Sequence, residues 1–121
     1  MKRDMDLARL ILAKVEDDPD ADGLGSRKLS VEGRSDQEVT YHVQLLDEAG
    51  LVTMEEMRTS SGLVCLPRRL TWQGHEFLEA ARSDTLWQKA KKITVEKTGG
   101  LGFEFLKTAL TKLGMDAIGA G

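Results

Sequence analysis

The sequence predicts an α+β fold, helices around a single β-hairpin with a further helical extension beyond it. Three observations carry that prediction. Apolar residues recur at the helical period over four stretches, close to residues 4–17, 35–49, 71–90 and 101–113. Two β-rich runs, "LVTMEEMR" at 51–58 and "LVCLPRRL" at 63–70, flank the short segment "TSSG", the pattern of two strands joined by a tight turn. The composition is 40% apolar, 31% charged and only 5% aromatic over 121 residues, which suits a helix-rich globular chain long enough to bury a core without disulfides.

Each element has a local reason. In the first helix Met5, Ala8, Ile11, Leu12 and Val15 share one face, with Leu7 on its flank. Asp4 is placed to accept from the amides of the first turn, and Pro19 ends the run because it has no donor and restricts the residue before it. Residues 17–28, "DDPDADGLGSRK", have no hydrophobic period, and their Pro and two glycines mark a loop. "LSVEG" at 29–33 alternates Leu29 and Val31 and stops at Gly33, as a very short strand would.

Ser35 or Asp36 then caps a helix with Val39, Val43 and Leu46 inward, joined by Leu45 and Ala49, and Gly50 closes it in the left-handed conformation. The hairpin follows at once. Pro67 points to an edge position there, since an edge tolerates a missing donor. Thr71 caps a long helix through Phe77, Leu78, Ala81, Leu86 and Ala90, with a break expected at Ser83-Asp84. After Gly99-Gly100 a last helix uses Leu101, Phe103, Leu106, Leu110 and Leu113. No internal repeat is evident.

A helix followed directly by a β-hairpin is the winged-helix arrangement, and the residues bear a resemblance to match. "YHVQLLDEAGLV" at 41–52 resembles the recognition helix and first wing strand of winged helix-turn-helix regulators. "RLTWQGHEFLEAAR" at 69–82 resembles the exit from such a wing into a helix. With "MKRDMDLARLIL" at the start and "DTLW" at 84–87, roughly residues 1–95 are similar to a family of short bacterial and prophage-borne proteins that carry a domain of unknown function. The resemblance implies a winged-helix fold and a mobile-element setting; the residues themselves divide into a winged-helix domain over 1–82 and a helical extension over 83–121, a segment for oligomerisation or partner docking. It brings no activity with it. The chain departs from the regulator pattern in one respect: residues 18–34 offer a loop and a short strand where a helix-turn-helix has its second full helix, so either that helix is reduced to a turn or the motif is degenerate.

Charge separates the candidate partners. The net charge of −3 divides unevenly: residues 1–66 hold 8 Lys+Arg against 14 Asp+Glu, a net −6, and residues 67–121 hold 9 against 6, a net +3. A nucleic-acid contact therefore has to come from local clusters. On the helix before the hairpin the outward positions are Asp36, Gln37, Thr40, Tyr41, Gln44 and Asp47, with Arg34 near its start. Gln37, Thr40 and Gln44 suit base edges, but the helix lacks the cations that neutralise phosphate.

Arg58 before the turn and Arg68 and Arg69 after the returning strand are better phosphate ligands if the hairpin gathers them near its base. The alternative is cross-strand pairing with Glu55 and Glu56. Lys89 and Lys92, in "WQKAKKITVEK", form a third basic stretch. It either follows a backbone with Trp87 as an anchor, or is a solvated face with Trp87 in the core. Phe103, Leu106, Leu110 and Leu113 form an apolar stripe, read as a surface for self-association or a protein partner.

Catalytic and metal-binding motifs are thin. "DPDADG" at 18–23 begins like a calcium loop, but Leu29 stands where the closing bidentate Glu is required. No metal and no cofactor are expected. His42 and His75 lie in different helices without metal-ligand spacing, and Cys65 sits in an apolar strand as a small hydrophobe. A lone cysteine, a start interrupted by Asp4, Asp6 and Arg9, and no apolar run long enough to span a bilayer point to the cytoplasm and away from membranes.

The expected function is a non-enzymatic regulatory or adaptor protein of a phage, prophage or defence context, working through protein–protein contacts. The alternative is a winged-helix DNA-binding regulator that touches phosphates through the wing arginines and the basic helix. Charge favours the first.

Overall fold

The first helix, α1 (Met5–Asp17), opens on Asp4, whose carboxylate accepts from the Asp6 and Leu7 amides at 3.0 and 3.2 Å. Two of the amides that any helix start leaves without partners are thus satisfied. Met5, Leu7, Ala8, Ile11, Leu12 and Val15 are all buried, so Leu7 belongs to the inward face and not its flank. The structure is a computed structural model and describes residues 1–18 and 29–119. Most of the expected loop, including residues 19–23 of the calcium-like stretch, lies outside the described residues.

The short strand expected over residues 29–33 does not form. Val31 is buried, the Arg34 amide donates to the Val31 carbonyl at 3.1 Å, and Gly33 takes a φ of +79°. This is a turn with one apolar anchor. A strand needs a ladder partner, and the only sheet among the described residues has two strands, both from the hairpin.

α2 (Asp36–Glu48) starts on a reciprocal cap: Ser35 Oγ accepts from the Glu38 amide at 3.1 Å, and Glu38 Oε1 accepts from the Ser35 amide at 3.3 Å. It ends on a Schellman motif. Gly50, at φ +76°, donates to the Asp47 carbonyl, and Leu51 donates to the Leu46 carbonyl, both at 2.9 Å. Leu46 and Leu51 are buried at this corner, whereas Ala49, expected inward, is exposed.

The corner feeds the hairpin of β1 (Val52–Thr59) and β2 (Gly62–Leu70), paired antiparallel from Val52↔Leu70 to Thr59↔Gly62. The register slips once, because Thr53 faces Arg69 and Met54 faces Pro67, leaving Arg68 as the extra residue of a bulge. Pro67 sits beside that irregularity, where its missing donor does least harm.

The chain leaves β2 through Thr71 into α3 (Trp72–Ala81). Thr71 does three things at once. Its Oγ1 accepts from the Gly74 amide at 3.0 Å, its Oγ1 donates to the Gly50 carbonyl at 2.6 Å, and its amide donates to the Leu51 carbonyl at 3.0 Å. The start of α3 is therefore fastened to the end of α2. Gly74 makes the close approach feasible: a Cβ there would overlap the Leu51 carbonyl oxygen, with the carbonyl carbon at 3.0 Å.

The expected break at Ser83-Asp84 is present, with Ser83 Oγ accepting from the Leu86 amide to cap α4 (Asp84–Thr98). Gly99, at φ +78°, closes α4, and α5 (Phe103–Gly119) follows. Two compact units result, Met1–His75 and Glu76–Gly121. In the first, α1, α2 and the hairpin share one core. In the second, α5 packs on α4, and Phe77 lies edge-on to Trp87 at 6.3 Å and tilted against Phe103 at 5.1 Å. The architecture is mixed α+β, with five helices and one two-stranded antiparallel sheet among the described residues.

Candidate functional site

Arg34 is occupied by the fold. One guanidinium nitrogen reaches Asp4 Oδ2 at 2.7 Å and the other reaches Glu38 Oε2 at 3.3 Å, so the arginine joins the cap of α1 to the cap of α2. Burial works to raise the Asp4 carboxyl, but hydrogen bonds from Arg34 and the Leu7 amide, with the Arg34 charge, outweigh it and hold Asp4 below the usual aspartate range. The Ser35 amide and Arg34 likewise hold Glu38 low. A cation so engaged is poorly placed to meet phosphate.

His42 completes this junction. Its ring is 1% exposed, Nε2 accepts from the Asp4 amide at 2.8 Å, and Nδ1 lies 2.8 Å from the Glu38 carbonyl. An amide only donates and a carbonyl only accepts, so the ring is the neutral tautomer with its proton on Nδ1. Both nitrogens are consumed in joining two helices, and neither faces a ligand.

The outward face of α2 is smaller than its sequence suggests. Thr40, expected to point out, is buried, and its Oγ1 accepts from the Cys65 amide of β2 at 3.4 Å. Tyr41 is half-buried and edge-on to His42 at 5.7 Å, and Gln44 is half-buried against the Cys65 thiol. Gln37 remains exposed, together with the acids Asp36, Asp47 and Glu48. Thr40 turns inward because a two-stranded hairpin packs its β2 residues on that side of the helix.

The hairpin does not gather its arginines. Arg58 is one rung from the tip, opposite Leu63, whereas Arg69 is at the base opposite Thr53. Five residues along β1 separate the two rungs, roughly 17 Å at ordinary strand rise. Arg58 and Arg69 are exposed, and Arg68 is within 4.0 Å of Glu55 across the strands.

In the second unit Lys89 and Lys92 are exposed on α4, and Trp87 is fully buried with the Lys91 ammonium 5.8 Å from its ring. Trp87 is therefore a core residue and not an anchor for a ligand. The apolar stripe of α5 is also largely consumed: Leu106 and Leu110 are fully buried, and Phe103 and Leu113 are half-buried. Intramolecular packing on α4 covers what looked like a docking stripe.

Trp72 is the residue that sequence reasoning passed over. It is 78% exposed on the first turn of α3, immediately after the residue that ties α3 to the end of α2. The available signal was positional: a large ring directly after a capping Thr, off the period of Phe77 and Leu78.

Reactive groups are muted. Burial pushes the Cys65 thiol up, helped by the charges of Glu56 and Asp47 and opposed by a hydrogen bond with Gln44, and a protonated thiol is a weak nucleophile. His75 is exposed, with Nδ1 3.5 Å from Glu16. Among the described residues no three His, Cys, Asp or Glu converge as metal ligands, no buried side-chain nitrogen or oxygen lacks a partner, and no helix is long and apolar enough to cross a membrane.

Comparison with known proteins covers the first unit and the second as far as the end of α4. The model of a family described as "Hypothetical protein (DUF2513)" matches residues 2–100. A Haemophilus influenzae protein described as uncharacterized is 36% identical over 107 residues, covering 88% of this chain and 90% of that protein. No solved structure matches the chain.

Proposed function

The chain belongs to the DUF2513 family, and from that premise we propose that it is a non-enzymatic adaptor of winged-helix type. It regulates by binding another protein, in the phage, prophage or defence setting that its sequence resemblance implies. The observation that carries this reading is Trp72, whose indole is 78% exposed on a corner held rigid by the Thr71 hydrogen bonds. Tryptophan anchors interfaces because it buries a large area at little entropic cost. Asp47 and Glu48 are exposed at the end of α2 on the same corner. A partner segment with a pocket for the indole and a Lys or Arg beside it would match both features.

Support for the winged-helix arrangement comes from α2 turning through Gly50 into the hairpin, with α1 packed on α2 and β2. The short Val31 turn stands just before α2 where a helix-turn-helix would carry a longer element. The non-enzymatic reading draws on His42 and Cys65 serving the fold.

The exposure of Arg58, Arg69, Lys89 and Lys92 favours a second reading, a DNA-binding regulator. Anisotropy titration with random duplex DNA at low and moderate salt separates the two. The adaptor reading expects no binding that releases several counterions. A steep salt slope, abolished in Arg68→Glu/Arg69→Glu, would replace it with the DNA reading. For the adaptor itself, site-specific photo-crosslinking in the native host should yield a discrete protein adduct that Trp72→Ala loses while its melting curve is unchanged.

A further inference from the structure

We propose that the outer edge of β1 is a self-association surface, on which a second copy of this chain adds its own β1 in antiparallel orientation to continue the sheet. Trp72 takes no part, so the proposal stands or falls apart from the reading built on that residue. Among the described residues the sheet has only the strands β1 and β2, so each strand has one edge without a ladder. The two edges differ. On β2 the edge is closed: Pro67 offers no donor, Arg68 bulges out of the ladder, and the Cys65 amide is taken by Thr40 Oγ1 at 3.4 Å. A proline, a bulge and a covering element are the usual ways a protein blocks an edge. β1 has neither Pro nor bulge, and Glu55 to Thr59 are all exposed along it.

The hydrogen-bond phase restricts how a strand can join. The Cys65 amide points away from β1, and Cys65 faces Glu56. In an antiparallel ladder opposed residues turn their backbone groups both inward or both outward, alternating along the strand. Met54, Glu56 and Arg58 therefore present N–H and C=O at the outer edge of β1. An added antiparallel strand bonds to them only by setting its own outward residues against them.

Within that restriction the side chains of β1 are complementary to a copy of themselves in one register. A two-fold pair centred on Glu56 opposes two glutamates, and one centred on Arg58 opposes two arginines. Centring on Met57 sets Glu56 of each copy against Arg58 of the other, twice by symmetry, on the residues whose backbones exchange bonds. Glu55 then faces Thr59 of the other copy and keeps Arg68 across its own hairpin at 4.0 Å, so no like charges stand opposed. On that face Met57, 44% exposed, meets Met57 of the other copy. The charges that deter an unrelated strand thus admit this chain in a defined register.

Sedimentation equilibrium and oxidative crosslinking of the full chain at low salt test this. Wild type should show a monomer–dimer equilibrium below about 500 μM. Glu56→Arg and Arg58→Glu each turn two attractions into two repulsions and should weaken dimerisation about tenfold. The double variant Glu56→Arg/Arg58→Glu should recover the wild-type constant. Under a mild oxidant Met57→Cys should form a disulfide-linked dimer, since directly opposed residues without shared hydrogen bonds have Cα atoms about 4.5 Å apart. Glu55→Cys should not, because the two copies of residue 55 stand roughly 14 Å apart in this register. A wild type that stays monomeric overturns the proposal. So do single reversals without effect, a double variant that does not recover, or Met57→Cys crosslinking no faster than Glu55→Cys.

Discussion

Gly74 is where the structure makes its sharpest demand on a single side chain. A Cβ at this position meets backbone, the Leu51 carbonyl, and not the movable end of a side chain. To reach ordinary contact distance the carbonyl oxygen must withdraw by more than about 1 Å. The Thr71 amide, now 3.0 Å from that oxygen, would lose its acceptor. Overpacking of this kind costs about 1–3 kcal/mol, and the lost hydrogen bond about 1 more. The higher helix propensity of Ala returns about 1 kcal/mol. Gly74→Ala should therefore destabilise the protein by about 2 kcal/mol, read as a lower urea midpoint at unchanged slope. Gly114→Ala is the control. Gly114 lies inside α5 with nothing within 4 Å of a built Cβ, and the same substitution there should stabilise by about 0.5–1 kcal/mol. A Gly74→Ala midpoint within error of wild type would refute the close approach of α3 to the α2–β1 corner.

Two further predictions concern the junction of α1 and α2. His42 should show an Nδ1-protonated neutral ring by long-range nitrogen–proton NMR correlation at neutral pH, and an Nε2 proton would contradict the bond from the Asp4 amide. Because the Asp4 carboxyl is depressed in the folded state, its contribution is complete above the unfolded aspartate value and is lost as pH falls through the folded one. Acid titration of the denaturation midpoint should therefore show a loss on the acid side of pH 4 or so that is smaller in Asp4→Asn; equal acid sensitivity in the two proteins would remove Asp4 from the account.

Helix ends were legible in the sequence because caps act over a few residues. Asp4, Ser35, Gly50, Thr71 and Ser83 each meet their requirement within the neighbouring turn, apart from the reach of Thr71 back to Gly50. What was not legible depends on partners distant along the chain. Thr40 is turned inward by a backbone amide 25 residues away, and Arg34 is held by a carboxylate 30 residues away. Neither contact leaves a trace in local period. The stripe of α5 fails for a related reason: periodicity reveals that a face is apolar but not whether α4 or another molecule covers it. The two residues of "LSVEG" that alternated could not reveal that, among the described residues, no neighbouring strand was there to pair with.

The acidity of α2 also divides once its placement is known. Asp36 and Glu38 stand in the first turn, where negative charge complements the helix dipole and Glu38 closes the cap. Their sign follows from what the helix needs and says little about a partner. Asp47 and Glu48 stand at the other end, with no basic residue in the last turn. There a negative charge works against the dipole, at about 0.3–1 kcal/mol each when exposed. Residues kept against the stability of their own helix are the stronger sign of recognition. Glu48→Lys should consequently raise stability by about 0.5–1 kcal/mol while weakening capture of the protein partner proposed for Trp72. A fall in stability would make Glu48 structural and return it to the fold. A rise without any change in partner capture would leave Trp72 as the recognition element and strip the corner of its electrostatic half.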